Sequence, residues 1–174
     1  MKKVLIVVDM QKDFIDGALG TSEAVAIVPN VVRKIREFDG TIFVTYDTHQ
    51  ENYLETHEGR NLPVVHCIRG TKGWELDQKV REALEGKEYT AVEKRTFGST
   101  GLPNLIRDAV GNDDFTIELI GVCTDICVIC DALYLRVSFP ETDIIVDASC
   151  CAGVTPETHD AALATMRMCQ IEII

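Results

Sequence analysis

The sequence predicts an α/β fold built as one domain: a mainly parallel six-stranded sheet with helices on both faces, in a Rossmann-like three-layer arrangement. Three observations carry that expectation. Short β-rich apolar runs alternate with helical patterns along the whole chain. Several of those runs are apolar on both faces, as strands covered by two helix layers must be. No composition shift, internal repeat or low-complexity tract splits residues 1–174 into two domains.

The strands are expected at residues 3–8, 41–46, 89–93, 115–122, 143–147 and 171–174. Val28-Pro29 opens a helix with proline at the first helical position, Val31, Val32, Ile35 and Phe38 form its stripe, and Gly40 ends it. Leu76, Val80, Ala83 and Leu84 mark a second helix, stopped by Gly86. Ile126, Ile129, Cys130, Leu133 and Val137 space as one face of a third, and Thr155-Pro156-Glu157 starts the last with Thr155 as its cap. Residues 47–74 show no convincing period, and a loop that long in a compact domain is usually functional. Ligands of open α/β sheets bind beyond the carboxyl ends of the strands. Asp9, Asp47, Lys94 and residues 123–127 each follow a predicted strand end and should therefore converge.

Composition narrows the function. A chain of 174 residues, 46% of them hydrophobic, buries roughly 68–70% of its surface and needs neither disulfide nor metal to hold a core, so a metal site would be functional. The 17 Lys and Arg face 28 Asp and Glu, a net charge of −11. Such a chain has no broad positive field for nucleic acid or an anionic membrane, which leaves small-molecule chemistry. The apolar run at residues 4–8 is too short to span a bilayer and lacks a cleavage site, so it reads as a buried strand. Seven cysteines, an odd number without an export signal, point to a reducing cytoplasmic setting.

Cys127, in Gly121-Val122-Cys123-Thr124-Asp125-Ile126-Cys127-Val128, falls in the first turn of a helix that follows a strand. Free backbone N–H groups and the positive dipole end there should lower its pKa below the ordinary value of about 8.5. The alternative is a buried cysteine acting as a small hydrophobe, and Cys130, Cys150, Cys151 and Cys169 are read that way. The Cys123-x3-Cys127-x2-Cys130 spacing also matches the cluster-binding thiols of radical S-adenosylmethionine enzymes. Its place two-thirds along a short chain, with Cys130 on an apolar stripe, argues against that. Asp9 and Lys94 could supply the base and the cation that a cysteine nucleophile requires; no histidine accompanies Cys127 in the chain, and His159 is read as a helix-surface or supporting residue in preference to a papain-like partner. A second constellation is Asp47-Thr48-His49, His57-Glu58 and His66-Cys67. Its nitrogen and carboxylate donors suit Zn²⁺, Fe²⁺ or Mn²⁺, with positions left for water or substrate.

Taken together, these motifs resemble the isochorismatase-like cysteine hydrolases, particularly the nicotinamidase branch. The resemblance rests on Val8-Asp9-Met10-Gln11-Lys12-Asp13-Phe14, Asp47-x-His49, His66-Cys67 followed by Gly70-Thr71, Lys94 with Phe97, and the segment around Cys127. It covers nearly the whole chain and implies a catalytic triad of Asp9, Lys94 and Cys127, with Cys127 as nucleophile. It further implies a cis Val122–Cys123 peptide, an oxyanion hole from the backbone N–H groups of Cys123 and Cys127, and Phe14 as an aromatic pocket wall. The implied metal ligands are Asp47, His49, His66 and either His57 or Glu58, with Glu58 favoured. One divalent ion, zinc first among the candidates, would bind the pyridine nitrogen of a small amide. A homo-oligomer is also expected. The tryptophan that often precedes the His66 position in this branch is absent, with Leu62-Pro63-Val64-Val65 in its place, so one pocket wall must differ.

Overall fold

Val4, Leu5, Ile6, Val7 and Val8 leave almost no surface to solvent, because the first strand lies in the middle of the sheet and is covered on both sides. The computed structural model describes residues 1–174. Its strands are β1 (Lys2–Val8), β2 (Thr41–Asp47), β3 (Tyr89–Lys94), β4 (Phe115–Val122), β5 (Asp143–Ala152) and β6 (Glu172–Ile173), ordered β3-β2-β1-β4-β5-β6. All neighbouring strands pair in parallel. The helices are α1 (Lys12–Ile15), α2 (Ser22–Glu37), α3 (His57–Asn61), α4 (Gln78–Leu84), α5 (Leu102–Val110), α6 (Ile129–Ser138) and α7 (Pro156–Met168).

The period-2 alternation of β1 divides the core. Val4, Ile6 and Val8 pack with Ile106 of α5, Leu135 of α6 and Met166 of α7, whereas Leu5 and Val7 pack with Val31 and Ile35 of α2 and Val80 of α4. Each fully buried aliphatic side chain of this kind contributes about 1.5–3 kcal/mol. Strand order reverses between β1 and β4, which opens a crevice at their carboxyl ends. There β4 runs so close to β1 that a Cβ on Gly121 would collide with the Val8 carbonyl, and its φ of +119° excludes other residues.

Several elements depart from the sequence expectation. Helix α2 starts at Ser22, capped by Thr21 Oγ1 accepting from the Ala24 N–H at 3.0 Å, so Pro29 lies inside the helix instead of opening it. Helix α5 fills a stretch for which no helix is expected, although Pro103 in its first turn and Ile106 and Val110 on its buried side mark it. Strand β5 runs on to Ala152, and β6 is only two residues long.

The third predicted helix differs in phase. It begins as a π turn, Thr124–Val128, in which the Val128 N–H donates to the Cys123 carbonyl at 3.1 Å, and continues as α6. Its buried side is Thr124, Cys127, Val128, Asp131, Ala132 and Leu135, whereas Cys130 is exposed and Val137 is 78% exposed. Ile126, Ile129 and Leu133 of the expected stripe pack half-buried against the core, whereas Cys130 and Val137 miss it and the Asp131 carboxylate takes the core-facing position beside Cys130. The capping of α7 by Thr155 is as expected, its hydroxyl accepting from the Thr158 N–H at 3.2 Å.

Candidate active site

Residues 48–74 contain a 3-10 turn (Tyr53–Glu55) and α3, but no strand. The segment folds back so that His49 bridges Ile68 in parallel, its N–H donating to the Cys67 carbonyl at 3.0 Å. This closure lays His49, Glu58 and His66 over the carboxyl end of β2.

Asp9 leaves β1 with φ of +47°, a conformation aspartate tolerates better than most residues. Thr45 on the neighbouring strand holds it twice. The Asp9 N–H donates to Thr45 Oγ1 at 3.2 Å, and the Thr45 hydroxyl donates to Asp9 Oδ1 at 2.6 Å. Lys94, the last residue of β3, reaches over the end of β2 to place Nζ 2.6 Å from Asp9 Oδ2 and 3.6 Å from Cys127 Sγ. Its ammonium also donates to the Thr96 carbonyl at 3.1 Å and lies 3.7 Å from Asp47 Oδ1. All three side chains, Asp9, Lys94 and Cys127, are buried.

Burial sets the protonation states. It raises the Asp9 pKa in spite of Lys94. It works against the Lys94 ammonium, but Asp9, Cys127 and Asp47 around it push that pKa well above its ordinary value. Burial, and then the Asp9 carboxylate, also push the Cys127 thiol well above its ordinary value, which corrects the expectation of a lowered pKa at a helix start. The helix-end effect loses because the thiol is fully enclosed and faces an anion. The Lys94 ammonium, favoured by its anionic neighbours, thus lies beside two groups, Asp9 and Cys127, whose protonated forms burial favours.

Asp47, His49, Glu58 and His66 each present one donor atom, and the four atoms lie within 4.8 Å of one another. His49 Nε2 is 3.0 Å and His66 Nε2 3.5 Å from Asp47 Oδ2, and both face Glu58 Oε1, at 3.6 and 3.8 Å. The Val64 carbonyl accepts from His66 Nδ1 at 2.7 Å, which turns Nε2 toward the cluster. Burial would raise the Asp47 pKa, but hydrogen bonds from His49 and His66 hold it well below the usual carboxylate range. Two imidazoles and two carboxylates with closely converging donors fit a divalent transition metal. His57, the alternative to Glu58, is exposed and turned toward Asn61.

Several supporting residues were not assigned roles from sequence. Gln11 is fully buried; its Nε2 donates to the carbonyls of Asp47 and Trp74, each at 2.9 Å, and its Oε1 accepts from the Asp47 N–H at 2.8 Å. Asp13 Oδ2 accepts from the Cys67 N–H at 2.8 Å and so fixes a residue with φ of +45° next to His66. Polar residues immediately after a fully buried strand, in Met10-Gln11-Lys12-Asp13, were the available signal.

A cavity of about 200 Å³ opens onto Cys127 and onto Asp47, Glu58 and His66. Phe14 lines it, edge-on to His66 with ring centroids 5.5 Å apart, and Phe97 and Leu62 close the outer side. Leu62 thus supplies wall where the branch's tryptophan is missing, while Trp74 stacks on Tyr46 and donates to Thr48 Oγ1 at 2.9 Å. Drug-sized ligands need cavities of roughly 300–1,000 Å³, so this one suits a single substituted ring. The Val122–Cys123 peptide at its base is cis. His159 Nδ1 pairs with Thr124 Oγ1 at 2.8 Å, not with Cys127. Cys123, Cys127 and Cys130 form no common donor cluster, with Cys130 on the surface and Cys127 buried.

The fold agrees with what is similar to the chain. A family model described as an isochorismatase domain matches residues 3–174. The chain is 27% identical over 188 residues to a nicotinamidase/pyrazinamidase of Mycobacterium tuberculosis, covering 99% of this chain and 98% of that protein. It is 29% identical to an Arabidopsis thaliana protein named "probable inactive nicotinamidase", covering 94% of this chain and 87% of that one. Among solved structures, the pyrazinamidase of Pyrococcus horikoshii in complex with zinc superposes with a TM-score of 0.83 at 29% identity, covering 100% and 99% of the two chains. With a doubly covered parallel sheet, a Cys–Asp–Lys cluster at its switch point and a family model matched almost end to end, this chain belongs to the isochorismatase family.

Proposed function

We propose that this protein is a cytoplasmic, metal-assisted cysteine amidohydrolase that converts nicotinamide, or a close heteroaromatic amide, to the acid and ammonia through a Cys127 thioester. The observation that carries the reading is one ring-sized cavity opening at once onto the Cys127 thiol and onto the Asp47, Glu58 and His66 donors. Similarity to a nicotinamidase/pyrazinamidase along nearly the whole chain supports the amide substrate.

Asp9 takes the thiol proton as Cys127 Sγ attacks the carboxamide carbon, and Lys94 holds the charge on either side of that transfer. Backbone N–H groups of Cys123 and Cys127 receive the developing oxyanion. The C–N bond breaks as Asp9 returns the proton to the leaving nitrogen, releasing ammonia. Water, deprotonated by Asp9, then adds to the thioester; the C–S bond breaks, the acid departs and the thiol is restored. Asp47, His49, Glu58 and His66 would hold one divalent ion, zinc favoured by the zinc-bound similar structure, and that ion would supply a Lewis-acidic contact for a ring nitrogen. Phe14 stacks against that ring and fixes its plane.

Seven free cysteines support a reducing compartment, and no helix is long and apolar enough to cross a membrane. Exposed Tyr134, Val137 and Met168 on the neighbouring helices α6 and α7 support self-association. The test is ammonia release from nicotinamide by zinc-loaded protein, with Cys127→Ala as control. Release that vanishes in the variant is expected. Full activity in the variant would sink the mechanism; release only from another amide would transfer the site to a sister substrate. Similarity to a protein named inactive favours a ligand-binding role as the second reading, and nicotinamide binding without ammonia release would select it.

A further inference from the structure

One buried ionisable side chain has no part in the chemistry above. Asp131, in the first turn of α6, is 1% exposed, and its Oδ1 accepts from the Ser99 backbone N–H at 2.7 Å. Its second oxygen is buried with no partner. The segment it grips runs back to the site. Ser99 ends a stretch in which Phe97 walls the cavity, Thr96 offers its carbonyl to the Lys94 ammonium, and Gly98 lies so close to α6 that an added Cβ would sit 3.2 Å from Asp131 Oδ1. The stretch from Lys94 to Ser99 is therefore tied at both ends, by Lys94 inside the site and by Asp131 behind it.

We propose that Asp131 is a positioning residue: by holding the Ser99 N–H it fixes residues 94–99, and with them the Phe97 wall and the Thr96 carbonyl on Lys94, in the geometry that accepts substrate. As a carboxylate it makes a charge-assisted bond, about twice as strong as the bond the neutral acid would make. Burial raises its pKa to about 7, against the bond from Ser99; Asp9 raises it further and Lys94 lowers it. The other ionisable group beside it is the Cys130 thiol on its own helix. Protonation near neutrality therefore loosens the grip on residues 94–99.

This proposal rests on the amidase reading for its substrate, so it is tested with one readout that depends on nicotinamide and one that does not. Nicotinamide hydrolysis is followed from about pH 5.5 to about pH 8.5 in zinc-loaded wild type and Asp131→Asn, whose amide oxygen still accepts from Ser99 but cannot ionise. The wild-type KM is expected to rise three- to tenfold as pH falls through about 7, with kcat changing less. Asp131→Asn should keep the high KM at every pH. The protection factor of the Ser99 amide, its exchange by NMR without substrate divided into the intrinsic rate at each pH, should fall in the variant and in the wild type at acid pH. A variant that retains the wild-type break in KM, or a Ser99 protection factor that ignores both pH and the substitution, overturns the proposal. If nicotinamide is not hydrolysed at all, the amidase reading fails while the Ser99 exchange still decides the role of Asp131.

Discussion

Gln11→Ala tests whether the metal-type cluster depends on the backbone brace beneath it. Gln11 makes three hydrogen bonds, two of them to the backbone of Asp47, and is fully buried. Each bond contributes about 1 kcal/mol net, and the Asp47 N–H and carbonyl would be left enclosed without partners, at a further cost. The expected loss is about 3–4 kcal/mol, a large share of the 5–15 kcal/mol that typically stabilises a domain. Asp47 also carries the carboxylate that His49 and His66 both face, so metal affinity should fall about 10- to 100-fold, as it does when supporting hydrogen bonds around a metal are removed. Urea unfolding in excess chelator measures the first effect apart from the metal, and competition with a chromophoric chelator measures the second. Gln11→Glu sharpens the test, because it keeps an acceptor for the Asp47 N–H but sets an oxygen against two carbonyls. It should be at least as damaging as alanine. The reasoning is refuted if Gln11→Ala loses under about 1 kcal/mol and binds zinc within threefold of wild type, or if Gln11→Glu behaves as wild type.

Three further outcomes are expected. Glu58→Ala should weaken zinc binding about 10- to 100-fold and His57→Ala should leave it unchanged, by the same chelator competition; the reverse ranking would reassign the ligand. Zinc returned to chelated protein at about 100 times its Kd should raise unfolding stability by about 2.7 kcal/mol, read as a thermal shift. Asp131 has a raised folded-state pKa of about 7 against 3.8, so the folded protein binds the extra proton and wild-type stability should fall as pH rises between those values. Measured against Asp131→Asn, in which titrations elsewhere cancel, the difference should reach up to about 4 kcal/mol across that window, and parallel pH profiles would contradict it.

The sheet was legible because burial on both faces leaves an unmistakable mark: residues 4–8 have no polar alternate positions, and every strand starts within one residue of its expected place. The converging residues were legible because chemistry sits at strand ends in this architecture, which located Asp9, Asp47, Lys94 and Cys127 before any contact was known. Where the sequence misled, one cause recurs: a residue type read by its commonest role. Pro29 looked like a helix opener and is a helix interior. Cys130 looked like a packed cysteine and lies outside, while its neighbour Asp131 takes the core-facing position. The pKa of Cys127 was inferred from its place on a helix, whereas enclosure beside Asp9 sets it, and enclosure is a tertiary fact. Gln11 and Thr45 act through backbone groups and a hydroxyl far away in the chain, and no local pattern announces such bonds.

The parallel pairing of β1 has a consequence for how the molecule comes into being. Lys2 to Val8 align with Phe115 to Gly121, so the central strand must find a partner more than half the chain away before the crevice exists. Asp9 and Cys127 flank that late pairing, and loop-closure entropy makes distant pairings slow. During synthesis β1, β2 and the Asp47 donors all emerge in the first half of the chain, but Cys127 cannot meet Asp9 until β4 and the turn after it have been made. Recovery of thiol chemistry during refolding would therefore report completion of the sheet, and a nascent or truncated chain would have metal donors without a nucleophile.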